Sequence, residues 1–537
     1  MKKTYLLVPI LICISISSFS QINNNNKDSI DKKVTGKDSV NKKPATERDI
    51  TGFYLTRGVK INGDGLADGY IMFAIPNSPC VYLINRRGDV VHEWKGNYGV
   101  WHAYLMDDGS LVQSGMDPDF PVFGNGATFG RIQKITWDGK ILWDFEYANE
   151  DHIVHHDFSV MPNGHILALA YEAESYVSAM ANGRKPDKTP KSGPWLEGII
   201  EIAPDGKTHG KIVWEWHLKD HLIQDFDAKK ANYGNPADHP ELLDFNLGLQ
   251  LSARITQDSM DILQANGWVT NETADNRGAD IFHFNAIKYN PDLDQIVFSS
   301  PFVSEIFIID HGTNTKEAAG HKGGRYGKGG DFLYRWGNPQ NYKRGDSTNE
   351  QLFGQHDVRL IEKGKPGAGH FTIFDNNHFS PFFDSTRPSF DSINYSAVYE
   401  IVPPMDSKGN YRLENGKAYG PDKPVWMYKA PDSLSFWSPF ISGAHRMNNG
   451  NTFICEGIKG HFFEVTKEGK MVWEYFNPYR GDIRKMNGDP ADGLGFFEFR
   501  STFIPADHPA LVNKKLEPIV PQPAPFILPP PPAGDMH

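Results

Sequence analysis

Five histidines, His102, His156, His283, His356 and His445, fall just before or within the first strand-like segment of successive similar units. Imidazoles gathered at one place suit two kinds of chemistry. A neutral ring nitrogen can attack an electrophile, and a neighbouring ring can carry a proton to or from the departing group. A purely structural role, hydrogen bonding between strands, competes at each position. Metal binding is less well served: the one adjacent pair is His155-His156, and neighbouring strand residues face opposite ways. No metal site is therefore expected. The run Asn62-Gly63-Asp64-Gly65 through Asp68-Gly69 lacks the downstream glutamate of a calcium loop and reads as a turn. The chain has no glycine-rich phosphate loop and no Gly-x-Ser-x-Gly elbow, so no cofactor is expected.

The elements that must position these histidines are short strands. The clearest unit runs from Ser442-Gly443-Ala444-His445 through Asn449-Gly450-Asn451-Thr452 to His461-Phe462-Phe463. It closes with Lys467-Glu468-Gly469-Lys470 and Met471-Val472-Trp473. The glycine steps supply the positive φ angles of tight hairpins. Earlier copies end at Val91-His92-Glu93-Trp94, Ile141-Leu142-Trp143, Val213-Trp214-Glu215-Trp216, Trp336 and Val425-Trp426. No such unit buries both its faces alone, and radial stacking of six solves both the core and the exposed edges. The sequence thus predicts an all-β, six-bladed β-propeller over residues 51–510. Each blade's first strand lines the central channel, so the histidines converge near one end of it. The repeated closing tryptophan reads as a blade-docking residue. From Pro240 to Trp268, Leu, Ile and Met recur at helical spacing, which predicts a helical insertion (240–268) between the third and fourth blades.

Outside the repeats, Met1-Lys2-Lys3, an apolar stretch from Tyr5 to Ile16 and small residues before Gln21 read as a signal peptide (1–20). A polar, asparagine- and lysine-rich linker (21–50) and a proline-rich C-terminal tail (511–537) flank the propeller. Export to the periplasm or beyond is the expectation. The net charge of −11 is spread along the 537 residues without a basic stripe, which argues against nucleic acid as a partner. After the leader no apolar run is long enough to span a membrane. Cys80 and Cys455 lie near opposite ends of the folded region, and a closed ring would bring them close enough for a possible disulfide. Two separately buried thiols are the alternative.

Several motifs together carry a family resemblance. These are Asp68-Gly69-Tyr70-Ile71-Met72-Phe73, Val91-His92-Glu93-Trp94, His155-His156-Asp157, Gly354-Gln355-His356-Asp357, Phe374-Asp375-Asn376-Asn377 and Ser442-Gly443-Ala444-His445-Arg446. From about Asp68 to Pro478 the chain resembles the bacterial arylsulfate sulfotransferases. That resemblance implies transfer of a sulfuryl group from a phenolic sulfate ester to a phenolic acceptor through a sulfohistidine, without an adenosine-based donor. It also implies roles: His356 as the Gln-His site residue, His445 as the nucleophile, and His283 as a supporting imidazole. His156 is expected in substrate binding and His102 in structure. The arginine that the family places after Phe-Asp-Asn-Gly is missing, since the chain reads Asn376-Asn377-His378. Arg387 is the first choice to replace it, with Arg359 and Arg446 as alternatives. A non-catalytic propeller that binds a glycan, a sulfated ligand or a protein partner is the other reading. Oligomeric state, a homodimer included, is left open.

Overall fold

The computed structural model describes residues 52, 55–76, 78–116, 123, 127–248, 278–377, 395–432, 435–480 and 496–527. Antiparallel sheets form six blades around a ring. Blade 2 runs from Ala103–Leu105 to Ile141–Glu146, blade 3 from His152–Val160 to His209–His217, and blade 4 from Ala286–Asn290 to Tyr334–Trp336. Blade 5 runs from His356–Leu360 to Trp426–Tyr428, and blade 6 from Gly443–Arg446 to Met471–Phe476.

Blade 1 is built differently. Its three outer strands, Gly69–Ala74, Cys80–Ile84 and Val90–Lys95, come from the start of the ring, but its inner strand is Ser501–Pro505. The register is antiparallel, with Gly69 opposite Pro505 and Phe73 opposite Ser501. At the same seam Gly58–Asn62 adds to the outer edge of blade 6, pairing with Trp473–Phe476. Both ends of the folded chain thus close the ring, each by capping a sheet edge that would otherwise stay unpaired.

Apolar side chains alternate along the strands and meet across each seam, giving one buried cluster per blade pair. Ile200 and Ile202 of blade 3 face Trp143 and Phe145 of blade 2. Leu169 and Trp216 of blade 3 pack on Phe298 and Phe307 of blade 4. Similar clusters join blades 4 and 5, 5 and 6, 6 and 1, and 1 and 2. The closing tryptophans dock the blades as the repeat implied. Trp143 donates its indole N–H to His209 O (2.8 Å), Trp214 to Thr313 Oγ1 (3.1 Å) and Trp336 to Pro421 O (2.8 Å). Trp426 donates to Lys467 O (2.7 Å) and Trp473 to Arg86 O (2.9 Å), each acceptor lying in the next blade.

One expectation needs correction, and one open alternative is decided. The helical insertion is not found: among the described residues the α-helices are the short Tyr176–Ala181 and Thr315–Ala318. Residues 240–248 hold a two-residue parallel strand pair, Leu243–Asp244 with Leu222–Ile223, followed by a turn. The rest of that stretch, 249–268, lies outside the described residues. Helical spacing of apolar residues is also produced by an irregular segment that buries one side, and that is what 240–248 does, with Leu243 and Phe245 in the core between blades 3 and 4. Cys80 and Cys455 are both unbonded. They belong to the same apolar packing between blades 6 and 1. Cys80 sits beside Ser78 and Glu93, whereas Cys455 is fully buried against Ser501, and burial pushes both thiols up.

Candidate active site

In blades 3, 4 and 5 the backbone is kinked within or just before the inner strand. His156 (φ 53°), His283 (φ 56°) and Asp357 (φ 52°) all adopt left-handed backbone, which costs about 1–3 kcal/mol per residue and persists only where packing enforces it. In blade 3 the kink is a bulge: the register jumps from Phe158 opposite Ala168 to Val154 opposite Ala170. Three residues, 155–157, therefore face Leu169 alone. In blade 5 a bulge falls between His356 and Arg359. The kinks break the usual alternation of side chains. His155 and His156, neighbours expected to point apart, instead meet Nδ1 to Nδ1 at 2.7 Å.

Three imidazoles are held the same way, by Nδ1. His356 Nδ1 donates to Asn376 Oδ1 (2.8 Å) and lies 3.2 Å from Gly354 O. The Asn376 amide is itself fixed, because its Nδ2 donates to Ser438 O and Ile441 O. With the proton on Nδ1, His356 Nε2 carries a lone pair. Burial pushes its pKa down to about 3 against the opposing pull of Asn376, and nearby His283 and Arg500 add to the shift. The ring is neutral at any physiological pH.

His283 Nδ1 donates to Asp280, and Tyr171 bridges the two, its hydroxyl 2.9 Å from Asp280 Oδ2 and 3.2 Å from His283 Nδ1. The carboxylate fixes the orientation and tautomer of the ring, as in hydrolase triads. His156 is backed by a longer chain: His155 Nδ1, then His155 Nε2 at 3.0 Å from Glu197 Oε2. Burial, with Asp280 nearby, raises the Glu197 pKa well above the usual carboxylate range. A protonated Glu197 donates to His155 Nε2, so His155 donates from Nδ1 and His156 presents Nε2–H. Burial, with His283 and His155 close by, pushes the His156 pKa well below the usual imidazole range. The His156 and His283 rings meet edge to face at 4.2 Å, and Phe302 stacks on His283 at 4.6 Å. None of the three Nε2 atoms has a hydrogen-bond partner among the described residues.

A dense charged cluster closes the channel beside the imidazoles. Arg500, just before the blade 1 inner strand, donates to Asp157 Oδ2 and to Asn285 O, both at 2.6 Å, and its Nε lies 3.2 Å from Asp357 Oδ1. Arg359 Nε contacts both Asp357 oxygens at 2.8 and 2.9 Å. Lys288 and the Tyr104 hydroxyl complete the shell around Asp157. Burial alone would raise the Asp157 carboxyl, but Arg500 and Lys288 hold it well below the usual range. The space left against His102, Tyr104, Arg359 and Arg500 is about 10 Å³, room for about one water.

His445 departs from its expected role. Its Nε2 accepts the Phe503 backbone N–H (3.2 Å) across the seam to blade 1, and its ring packs on Phe453. The one lone-pair nitrogen of the neutral ring is therefore occupied, and the structure does not bring His445 into the group of His156, His283 and His356. Just before its strand lies Ser442 (φ 86°), whose hydroxyl contacts Ser438 Oγ and the Gly457 N–H. His102 lies 3.2 Å from Asp157 Oδ1 with its pKa pushed down by burial to about 4, a structural position. Arg387 lies outside the described residues. Arg446 is committed to Glu400 and Gly450 O, and Arg359 to Asp357. Sequence reasoning missed Arg500, Asp280, Tyr171 and Glu197. The His-Asp dipeptides at 156–157 and 356–357 were a usable signal for the central carboxylates; Arg500 sits in no repeat and carried none.

A family model for arylsulfotransferases (ASST) matches residues 78–487. A search of curated proteins found no match. Among solved structures, a protein of unknown function from Bacteroides caccae aligns at 11% identity and TM-score 0.39, covering 78% of this chain and 96% of its own. Virginiamycin B lyase from Staphylococcus aureus aligns at 12% identity and TM-score 0.30, covering 72% of each chain. Likeness at this level says nothing about chemistry, whereas the family match runs from the two outermost strands of blade 1 through blade 6. The chain belongs to the arylsulfotransferase family.

Proposed function

We propose that the chain is an aryl-sulfate sulfotransferase that works through a sulfohistidine on His356, with a phenolic sulfate ester as donor and a phenol as acceptor. The observation that carries this reading is the common anchoring of three imidazoles by Nδ1, with every Nε2 left open. The differing anchors divide the labour. A neutral amide behind His356 and a pKa near 3 keep its Nε2 lone pair available, as a nucleophile requires. The Asp280 carboxylate suits His283 to hold and release a proton. The Glu197–His155 chain suits His156 to donate Nε2–H to a sulfuryl oxygen.

In the first half-reaction His356 Nε2 attacks sulfur and the sulfur–oxygen bond to the aryl group breaks. The departing phenolate takes the proton from His283, leaving that ring neutral. The sulfated His356 then carries its imidazolium charge against the Asn376 carbonyl. In the second half, His283 removes the proton of the acceptor phenol, the phenolate attacks sulfur, and the nitrogen–sulfur bond returns its electron pair to His356. Arg500 serves the scaffold in this scheme, since Asp157 and Asp357 already balance it. Arg387 keeps its sequence-based expectation as the cation facing the sulfuryl group. Export through the segment 1–20, to periplasm or medium, belongs to the same proposal.

The test is single-turnover chemistry. The mature protein is mixed with an aryl sulfate without acceptor, and the adduct is mapped by mass spectrometry. A mass gain of one sulfuryl group on His356, lost on adding phenol, is the expected result. An adduct on His445 would reassign the nucleophile, and the absence of both adduct and phenol release would defeat the proposal.

A further inference from the structure

At the outer rim, away from the channel residues, a second histidine group has a different character. His221 follows the outermost strand of blade 3, whereas His321 and Asp331 belong to the connection between the third and fourth strands of blade 4. Both imidazoles present Nδ1 to the same carboxylate oxygen: His221 and His321 each lie 2.8 Å from Asp331 Oδ1. The three donor atoms fall within 4.8 Å of one another.

The orientation of His221 is settled by its other nitrogen. Nε2 lies 2.8 Å from Ala318 O and donates there, which leaves Nδ1 facing Asp331. Either a proton or a metal ion can sit between that nitrogen and the carboxylate oxygen, and the second imidazole on the same oxygen gives a metal ion its further ligand. An imidazole whose far nitrogen is tied to a backbone carbonyl is also the standard outer support of a metal ligand. The surroundings keep the group in place. Trp216 lies parallel to His221 at 5.2 Å and donates to Gly330 O. The connection is wound by bonds from Gly329 N to Gly323 O and from Gly330 N to Gly320 O. A Cβ on Gly330 would fall 2.0 Å from Ala318 O and 2.7 Å from His221 Nε2, so only glycine permits this approach.

We propose that His221, His321 and Asp331 bind one divalent transition ion of the zinc class, which clamps blade 3 to blade 4. Two imidazoles and a carboxylate form a borderline-soft set suited to a tetrahedral ion. The exposed side of His321 leaves the fourth position to water. Inserting the ion moves the ligand atoms from 2.8 Å to the roughly 3.3 Å that bonds of ~2.0–2.1 Å impose.

The experiment uses the full mature chain, stripped with a chelator and titrated with Co²⁺. Tetrahedral visible bands that saturate at one equivalent, and that Zn²⁺ abolishes, are expected. Because His321 is exposed, His321→Ala folds normally, and it should weaken Co²⁺ binding by at least tenfold; Asp331→Asn should do the same. Zn²⁺ should raise the melting temperature of the wild type and leave that of His321→Ala unchanged. Absence of the bands, or bands of equal strength and affinity in wild type and His321→Ala, overturns the site.

Discussion

The histidines of the channel and those of the outer strands have opposite electrostatic fates. In the channel, His356 and His156 have one nitrogen anchored and no charged partner at the other, so burial keeps them neutral. On the outer strands, His461 is held between Glu456 Oε2 (2.7 Å) and Glu474 Oε1 (3.0 Å), and His311 between Asp294 Oδ1 (2.7 Å) and Glu201 Oε2 (3.0 Å). Burial pulls both of these down, but the paired carboxylates outweigh it and raise them. His461 and His356 are about equally buried. The difference is the number of carboxylates: two clamp a ring as a cation, whereas an amide leaves it neutral and reactive.

The largest expected effect is on chemistry. His356→Ala should lower aryl-sulfate turnover by about 10³-fold or more, since a nucleophile has no substitute. His461→Gln should leave turnover within a few-fold while lowering the melting temperature. Steady-state rates with a chromogenic aryl sulfate decide it, and the reverse pattern would break the comparison. Next in size is Arg500→Met, which strips a partner from two buried carboxylates. A loss of about 3–5 kcal/mol is expected, softened by Arg359 and Lys288 and read by chemical denaturation.

pH sharpens the contrast further. A ring lowered by folding contributes stability in full above its unfolded pKa of about 6.5, and loses it as pH falls toward the folded value. For His102 and His356, with folded values of about 4 and about 3, the loss by pH 5 is on the order of 2 kcal/mol each. The raised rings His461 and His311 work the other way: their contribution is complete below about 6.5 and is lost as pH rises through the folded values. Melting curves should therefore show that His461→Gln flattens the alkaline fall and leaves the acid fall intact. The smallest effect is at the rim. Trp426→Phe removes the indole bond to Lys467 O and should cost about 0.5–1.5 kcal/mol by thermal melting, with turnover unchanged.

Much of this architecture is legible in the sequence because the repeat is periodic. The closing tryptophans and the glycine turns mark blade ends, and the histidines mark blade starts. Strand alternation misled at His155-His156, where left-handed backbone turns both rings toward one another. His445 matched the motif by position, yet its strand points it at the Phe503 N–H of the neighbouring blade. Which face a residue takes at a bulge depends on packing around the ring, and a linear pattern holds no trace of that. Arg500 was hidden for a related reason. It reaches the centre from the strand that closes blade 1, about 430 positions after the strand it pairs with.

That closing strand also sets a timetable. Ser501–Pro505 emerges from the ribosome after every other strand of the described residues, and Arg500 emerges beside it. Until then Asp157 and Asp357 lack their shared counter-ion, and blade 1 has no inner strand. A chain that stops before Arg500 leaves Asp157 to Lys288 and Asp357 to Arg359, without the cation that links the two carboxylates. Arg500 and the strand beside it thus act as a latch that joins the hub charges and the ring seam in one step.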